Sequence, residues 1–117
     1  MIVFTTIVAY LFARYDADIL NNGKFIDSHN SRFAIRGLTI LTMAIILGLI
    51  DGNTITLFFG GGLIFASLFD MFLNEMRCLP VFHLGNTAKW DKFWRKRILL
   101  YILSKVIAFS LGVWLCW

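Results

Sequence analysis

Two histidines and four acids carry the reactive chemistry of this chain: Asp16, Asp18, His29, Asp70, His83 and Asp91. Carboxylates and imidazoles bind hard or borderline cations and move protons. Asp16, Asp18 and His29 are candidates for a cation site. Their spacing matches no metal motif, and a solvated loop is the plainer reading. His83 and Asp91 are the candidate catalytic pair. They flank a Gly85-Asn86-Thr87 turn that explains the same residues without catalysis, with Gly85 supplying positive φ. The chain has no HExxH, no Ser-His-Asp arrangement, no phosphate-binding glycine loop and no paired cysteines. No cofactor follows from this set, and the identity of any metal stays open.

The stretch from Ser67 to Arg97 organises the rest. It enters as the end of an apolar helix, and Gly60, Ser67, Asp70, Asn74 and Arg77 share one polar face at helical spacing. Pro80 ends that helix, because it lacks an N–H and restricts the residue before it. Asn86 or Thr87 then caps a new helix, with Asp91 in its first turn favouring the dipole. The spacing predicts one helix from Ala88 to about Trp117, whose Trp90, Phe93, Trp94 and Arg97 face a membrane interface. Lys105 lies about 10 Å along it from Ile98, at ~1.5 Å per residue. Snorkelling brings its ammonium to the depth of Asp70. The expectation is an ion pair between Asp70 and Lys105 that fixes two helices in register.

The elements that position these residues are set by hydropathy. The chain has 117 residues, 59% hydrophobic and 15% charged, against about 45–50% and about 25% in soluble domains. A domain this small cannot hide so much apolar surface from water. Lipid as solvent resolves the conflict. The expected fold is all-α: a bundle of four transmembrane helices over 2–20, 33–50, 55–73 and 97–117, in one domain spanning 1–117, with two basic cytoplasmic loops. The first segment is short. It spans only if its helix continues past Arg14, tilts, or sits in thinned bilayer. It lacks the basic start and cleavage pattern of a signal peptide and is expected to be retained.

Lysines and arginines fix the orientation. Arg14, Lys24, Arg32 and Arg36 fill one loop region, and Arg77, Lys89, Lys92, Arg95, Lys96 and Arg97 another. The Asp51-Gly52-Asn53 turn carries none. Both termini are therefore expected outside and the two basic loops inside. The tight turn makes the second and third spans antiparallel neighbours. Arg32 and Arg36 suit snorkelling to headgroup phosphates, or holding an anionic lipid. Asp27 or Ser28 caps the second helix. Cys78 and Cys116 fall on opposite sides of the bilayer and cannot bridge within a chain. The net charge of +4 sits beside apolar spans, so nucleic acid is not an expected partner.

Small residues mark the packing faces. In the first span these are Thr6, Ala9 and Ala13, leading to Asp16. In the second they are Gly37, Ala44 and Gly48. Ser104, Ala108 and Gly112 form an i, i+4, i+8 row in the last. Gly60, Gly61 and Gly62 are expected to pack against Gly48 or Ala44.

The Asp70…Asn74 pair, Pro80, His83-x-Gly85-x-Thr87 and Asp91 lie between two spans and follow an earlier Asp16-x-Asp18…His29…Arg36 pattern. In these features the chain resembles small multi-span membrane proteins encoded by bacteriophages and prophages. The resemblance implies a bacterial cytoplasmic (inner) membrane and brings no activity. The leading expectation is a small structural or protein-interaction protein, in contact with the lipid bilayer and anionic headgroups, acting as a homo-oligomer or on a host membrane protein. An oligomeric pore of holin type, or an ion-conducting protein, is the alternative. A membrane-embedded hydrolase of lipid headgroups is the second alternative, and the balance of residues is against an enzyme.

The topology gives a first test. In intact cells carrying Cys116→Ser, Cys78 should resist an impermeant thiol reagent. A cysteine replacing Ile2 should react if the first segment spans. Ready labelling of Cys78 would reverse the orientation.

Overall fold

The computed structural model describes residues 1–23, 29–84 and 89–117, and within them every side chain except those of His29, Asn30, Asp51, Lys89 and Trp90. All regular structure among the described residues is helical. In chain order it comprises α1 (Ile2–Asn21), α2 (His29–Asp51), α3 (Thr54–Met76), α4 (Lys89–Arg95) and α5 (Ile98–Cys116). The expected caps at Asp27 or Ser28 and at Asn86 or Thr87, and the Gly85 turn, lie outside the described residues. So do the interface position of Trp90 and the charge of Lys24. Three helical stretches are long and apolar enough to cross a membrane: Ser31–Ile50, Thr54–Met76 and Ile98–Cys116.

α3 is the hub. It packs against α1 and α2 on one side and α5 on the other. Its glycines explain why one helix serves so many neighbours. A Cβ at Gly60 would lie 3.0 Å from the Gly112 carbonyl oxygen of α5. A Cβ at Gly112 would lie 2.8 Å from the Gly60 carbonyl and 3.0 Å from the Ile64 nitrogen. The two backbones touch here, as small residues permit in lipid. Gly61, one residue on and about 100° around the helix, faces Met1, Thr5 of α1 and Ile40 of α2, while Gly62 faces open space. The glycine patch therefore meets α5, α1 and Ile40. Gly48 and Ala44, the partners the sequence suggested, are not among the atoms nearest to it. Gly48 is instead taken up against Thr54, where the chain reverses through Gly52 at φ +75°. Ala44 is buried, Ala108 half-buried, and Ser104 donates its hydroxyl proton to the Tyr101 carbonyl.

On the other flank Val8, Ala9 and Ala13 of α1, Ile40 of α2 and Phe65 and Phe69 of α3 form the core. Phe65 and Phe69 stack with ring centroids 5.3 Å apart, and Phe12 meets Phe65 edge-on at 6.3 Å. The buried face of α1 runs through Thr5, Ala9, Ala13 and Asp16. Thr5 rather than Thr6 heads it. Both hydroxyls bond back to carbonyls four residues earlier, so each threonine is satisfied inside its own helix.

Two helix ends differ from the sequence expectation. α3 stops at Met76, ahead of Pro80. Cys78 adopts the left-handed conformation at φ 55°, with Cys78 N–H donating to Glu75 O and Leu79 N–H to Asn74 O. This is a Schellman closure, which satisfies the last carbonyls before proline acts. The single helix expected from Ala88 to Trp117 is two. Arg97, at φ −134° and ψ 45°, separates α4 from α5. In a continuous helix Trp94 and Tyr101 would sit about 10 Å apart along the axis. The break brings their ring centroids to 5.8 Å.

Gly60→Ala and Gly112→Ala should each push α3 and α5 apart and cost about 1–3 kcal/mol, the usual range for overpacking. Gly62→Ala, facing open space, should leave stability unchanged or raise it. Thermal unfolding of the three variants in detergent micelles separates these outcomes.

Candidate functional site

Four charged residues within the helices, Asp16, Arg36, Asp70 and Lys105, lie toward one end of the molecule. Asp16 lies five residues before the end of α1 and Asp70 six before the end of α3. Arg36 and Lys105 each lie seven residues past the start of α2 and α5. At ~1.5 Å per residue all four are about 8–11 Å from that end. They form one layer because α1 and α3 run one way while α2 and α5 run the other.

On one side of α3, Asp16 is 3% exposed, and each of its carboxylate oxygens accepts from a different arginine. Arg32 Nη1 donates to Oδ1 and Arg36 Nη2 to Oδ2. The arginines are one helical turn apart, so both reach one acid on the neighbouring helix. The Arg36 guanidinium carbon stands 4.1 Å from the Phe69 ring centroid and 5.9 Å from that of Phe12, and Arg32 lies 5.5 Å from that of Tyr15. Arg36 Nε is buried without a hydrogen-bond acceptor. Stacking on the ring supplies an electrostatic partner where none of the hydrogen-bonding kind is present.

On the other side, Lys105 Nζ donates to Asp70 Oδ2 at 2.7 Å and to the Ala66 carbonyl at 2.5 Å. The buried Tyr101 hydroxyl donates to the same carboxylate oxygen at 3.3 Å. The Asp70 side chain is 46% exposed, so this cluster opens at the edge between α3 and α5. Phe69 and Asp70 are consecutive on α3 and diverge by about 100°. One therefore serves Arg36 and the other Lys105.

Asn74 organises the loop that follows. Its buried side-chain amide donates to the carbonyls of Val81 at 3.0 Å and His83 at 2.9 Å. The sequence placed Asn74 on a polar face with Arg77 and assigned it no partner. Its two carbonyl acceptors, seven and nine residues on, are main-chain groups that no residue type reveals. Arg77 closes α3 through its backbone N–H, which bonds Leu73 O and Asn74 O.

The cation site expected from Asp16, Asp18 and His29 is not assembled around Asp16. Both its oxygens are engaged by guanidinium groups, Asp18 is exposed, and the His29 side chain lies outside the described residues. Among the described residues no group of three or more His, Cys, Asp or Glu stands close enough to hold a metal ion. His83 is exposed and Asp91 half-buried at the start of α4, and no hydrogen bond joins them among the described residues. Arg32 and Arg36, read from sequence as snorkelling to headgroups, turn inward to Asp16. The signal was present in the sequence: an acid and two arginines at equal depth on antiparallel neighbours.

Comparison with protein-family models, curated proteins and solved structures finds no match to this chain.

Asp70→Asn and Lys105→Met should each destabilise by about 1–3 kcal/mol. That is below the about 3–5 kcal/mol of a fully buried broken pair, because Asp70 is partly open. The double variant should recover most of the loss, as read by a double-mutant cycle on unfolding in micelles. Simple additivity would mean that the contact couples nothing. Asp16→Asn should cost more than either, since it strands two guanidinium groups.

Proposed function

We propose that this chain is a small structural or protein-interaction component of a bacterial cytoplasmic membrane, crossing it four times with both termini outside, and phage-encoded as its resemblance implies. The observation that carries the reading is how its internal charges are used. Asp16, Arg32, Arg36, Asp70 and Lys105 are engaged by one another, by an aromatic ring or by a main-chain carbonyl. Such charges hold helices in register and leave apolar outer faces on α2 and α5 for lipid or a neighbouring protein. An ion pair of this kind gives little net stability over apolar residues, and its best-attested use is to specify arrangement.

The same pairs support α1 as the fourth span. Its last turns carry Arg14, Asp16 and Asp18, which on their own would resist lipid. Asp16 is neutralised by α2, and α1 lies along α3 through Thr5, Ala9, Ala13 and Phe12. With a rise of ~1.5 Å per residue, its 20 residues reach about 30 Å, the thickness of the hydrocarbon core.

One observation favours an oligomeric, ion-conducting reading as second. The half-open Asp70 carboxylate, with Lys105 and Tyr101, lies at the edge of the α3–α5 pair. Copies assembled on that edge would line a polar path.

Affinity purification from native membranes, followed by reciprocal capture through each co-purifying membrane protein, tests the first reading. A stoichiometric partner recovered in both directions is the expected result. If the pure chain alone makes liposomes permeable to small ions, and Asp70→Asn abolishes the leak, the conducting reading replaces it.

A further inference from the structure

The break at Arg97 leaves a groove of about 310 Å³ between α4 and α5. Phe93, Trp94 and Arg97 form its mouth, and Leu100, Leu103 and Ile107 form its wall, one stripe at i, i+3 and i+7. From Arg97 to Ile107 the stripe runs about 15 Å at ~1.5 Å per residue, half of a hydrocarbon core about 30 Å thick. Its depth is that of one leaflet. A charged group stands only at the mouth. The Arg97 guanidinium carbon lies 4.7 Å from the Phe93 ring centroid, and among the described residues no carboxylate pairs with it.

The charge distribution points the same way. Five basic residues and one acid between Lys89 and Arg97 give +4, which is the formal charge of the whole chain; the other six basic and six acidic residues cancel. Arg97 also precedes the first turn of α5, where the helix dipole adds to its positive field. A guanidinium presents a planar fork that matches phosphate oxygens two at a time.

We propose that this groove is a binding site for an anionic phospholipid of the basic-loop leaflet, with its phosphate on Arg97 and one acyl chain along Leu100, Leu103 and Ile107. The site rests on the reading of α5 as a membrane span. Phe93 and Trp94 hold the glycerol level, where aromatic rings concentrate in membrane proteins. The lone guanidinium gains a counter-charge, and the net positive segment around it selects a lipid of net negative charge over a zwitterionic one.

The test uses the full chain, purified and equilibrated in micelles containing equal amounts of phosphatidylglycerol and phosphatidylcholine. Native mass spectrometry then counts retained lipids of each class. The expected result is one retained phosphatidylglycerol with a clear preference over phosphatidylcholine. Arg97→Gln should lower that preference about fivefold or more. Leu103→Phe, which fills the groove without changing charge, should do the same. Lys96→Gln, an equal change of charge one residue away, should have the smaller effect. If Lys96→Gln and Arg97→Gln act equally and Leu103→Phe does nothing, the preference is a diffuse attraction to a basic segment and the site is overturned. Loss of retained lipid on adding inorganic phosphate would identify free phosphate as the ligand and also overturn it. Alkaline extraction of membranes checks the span separately. A chain that stays in the membrane yet shows no lipid preference refutes the site alone, whereas a chain released by alkali refutes the span.

Discussion

A charge on an apolar helix must be answered by a neighbouring helix, and the arrangement of this protein follows from that requirement. An isolated ionised group in an apolar medium is too costly to keep, so it is paired or neutralised. Asp16 is answered twice, by Arg32 and Arg36, and Asp70 by Lys105 and Tyr101. The first cluster holds two positive charges against one negative. Its excess is met at Arg36, whose guanidinium carbon stands 4.1 Å from the Phe69 ring centroid. The two clusters touch α3 at consecutive residues. α3 thereby becomes the reference against which α1, α2 and α5 are set in depth.

Close packing and charge pairing divide the work along α3. At the end near Thr54, the backbones of α3 and α5 approach at Gly60 and Gly112, and Gly61 takes up the side chains of Met1, Thr5 and Ile40. At the other end the helices are joined by long side chains. Contact between glycines requires the correct rotation of each helix and tolerates no added methyl group. Ion pairs at the far end tolerate small shifts, because lysine and arginine stems adjust. Rotation is set at one end and depth at the other.

The segments between α3 and α5 follow the same economy of polar groups. Asn74 satisfies two loop carbonyls, those of Val81 and His83, through its side-chain amide. Cys78 accepts the left-handed conformation so that α3 can close its last turn. Arg97 breaks the helix so that Trp94 lies over Tyr101, which in turn serves Asp70. The short helix α4 is thus tied to the charged layer through two aromatic side chains.

Much of this was legible in the sequence. Three long apolar stretches, the tight turn at Gly52 and the common depth of Asp70 and Lys105 all follow from hydropathy and the helical rise. Periodicity along one helix shows which residues share a face, and it placed Ala9, Ala13 and Asp16 together on α1. It does not show which neighbour that face meets. Asp16 was grouped with Asp18 and His29, its nearest reactive residues along the chain, whereas its partners lie on α2. The glycine patch was assigned to Gly48 or Ala44, and its nearest neighbours include Gly112, Thr5 and Ile40, because consecutive residues on a helix point about 100° apart and so touch different neighbours. The ends of α3 and α4 were misplaced for a related reason. They are set by a left-handed cysteine and a non-helical arginine, conformations that neither residue type prefers. Local composition determined which segments are helices and how deep their charges lie. Only the tertiary structure decided which charge meets which, since pairing depends on the rotation of each helix about its axis, and that rotation is fixed by contacts between residues far apart in the chain.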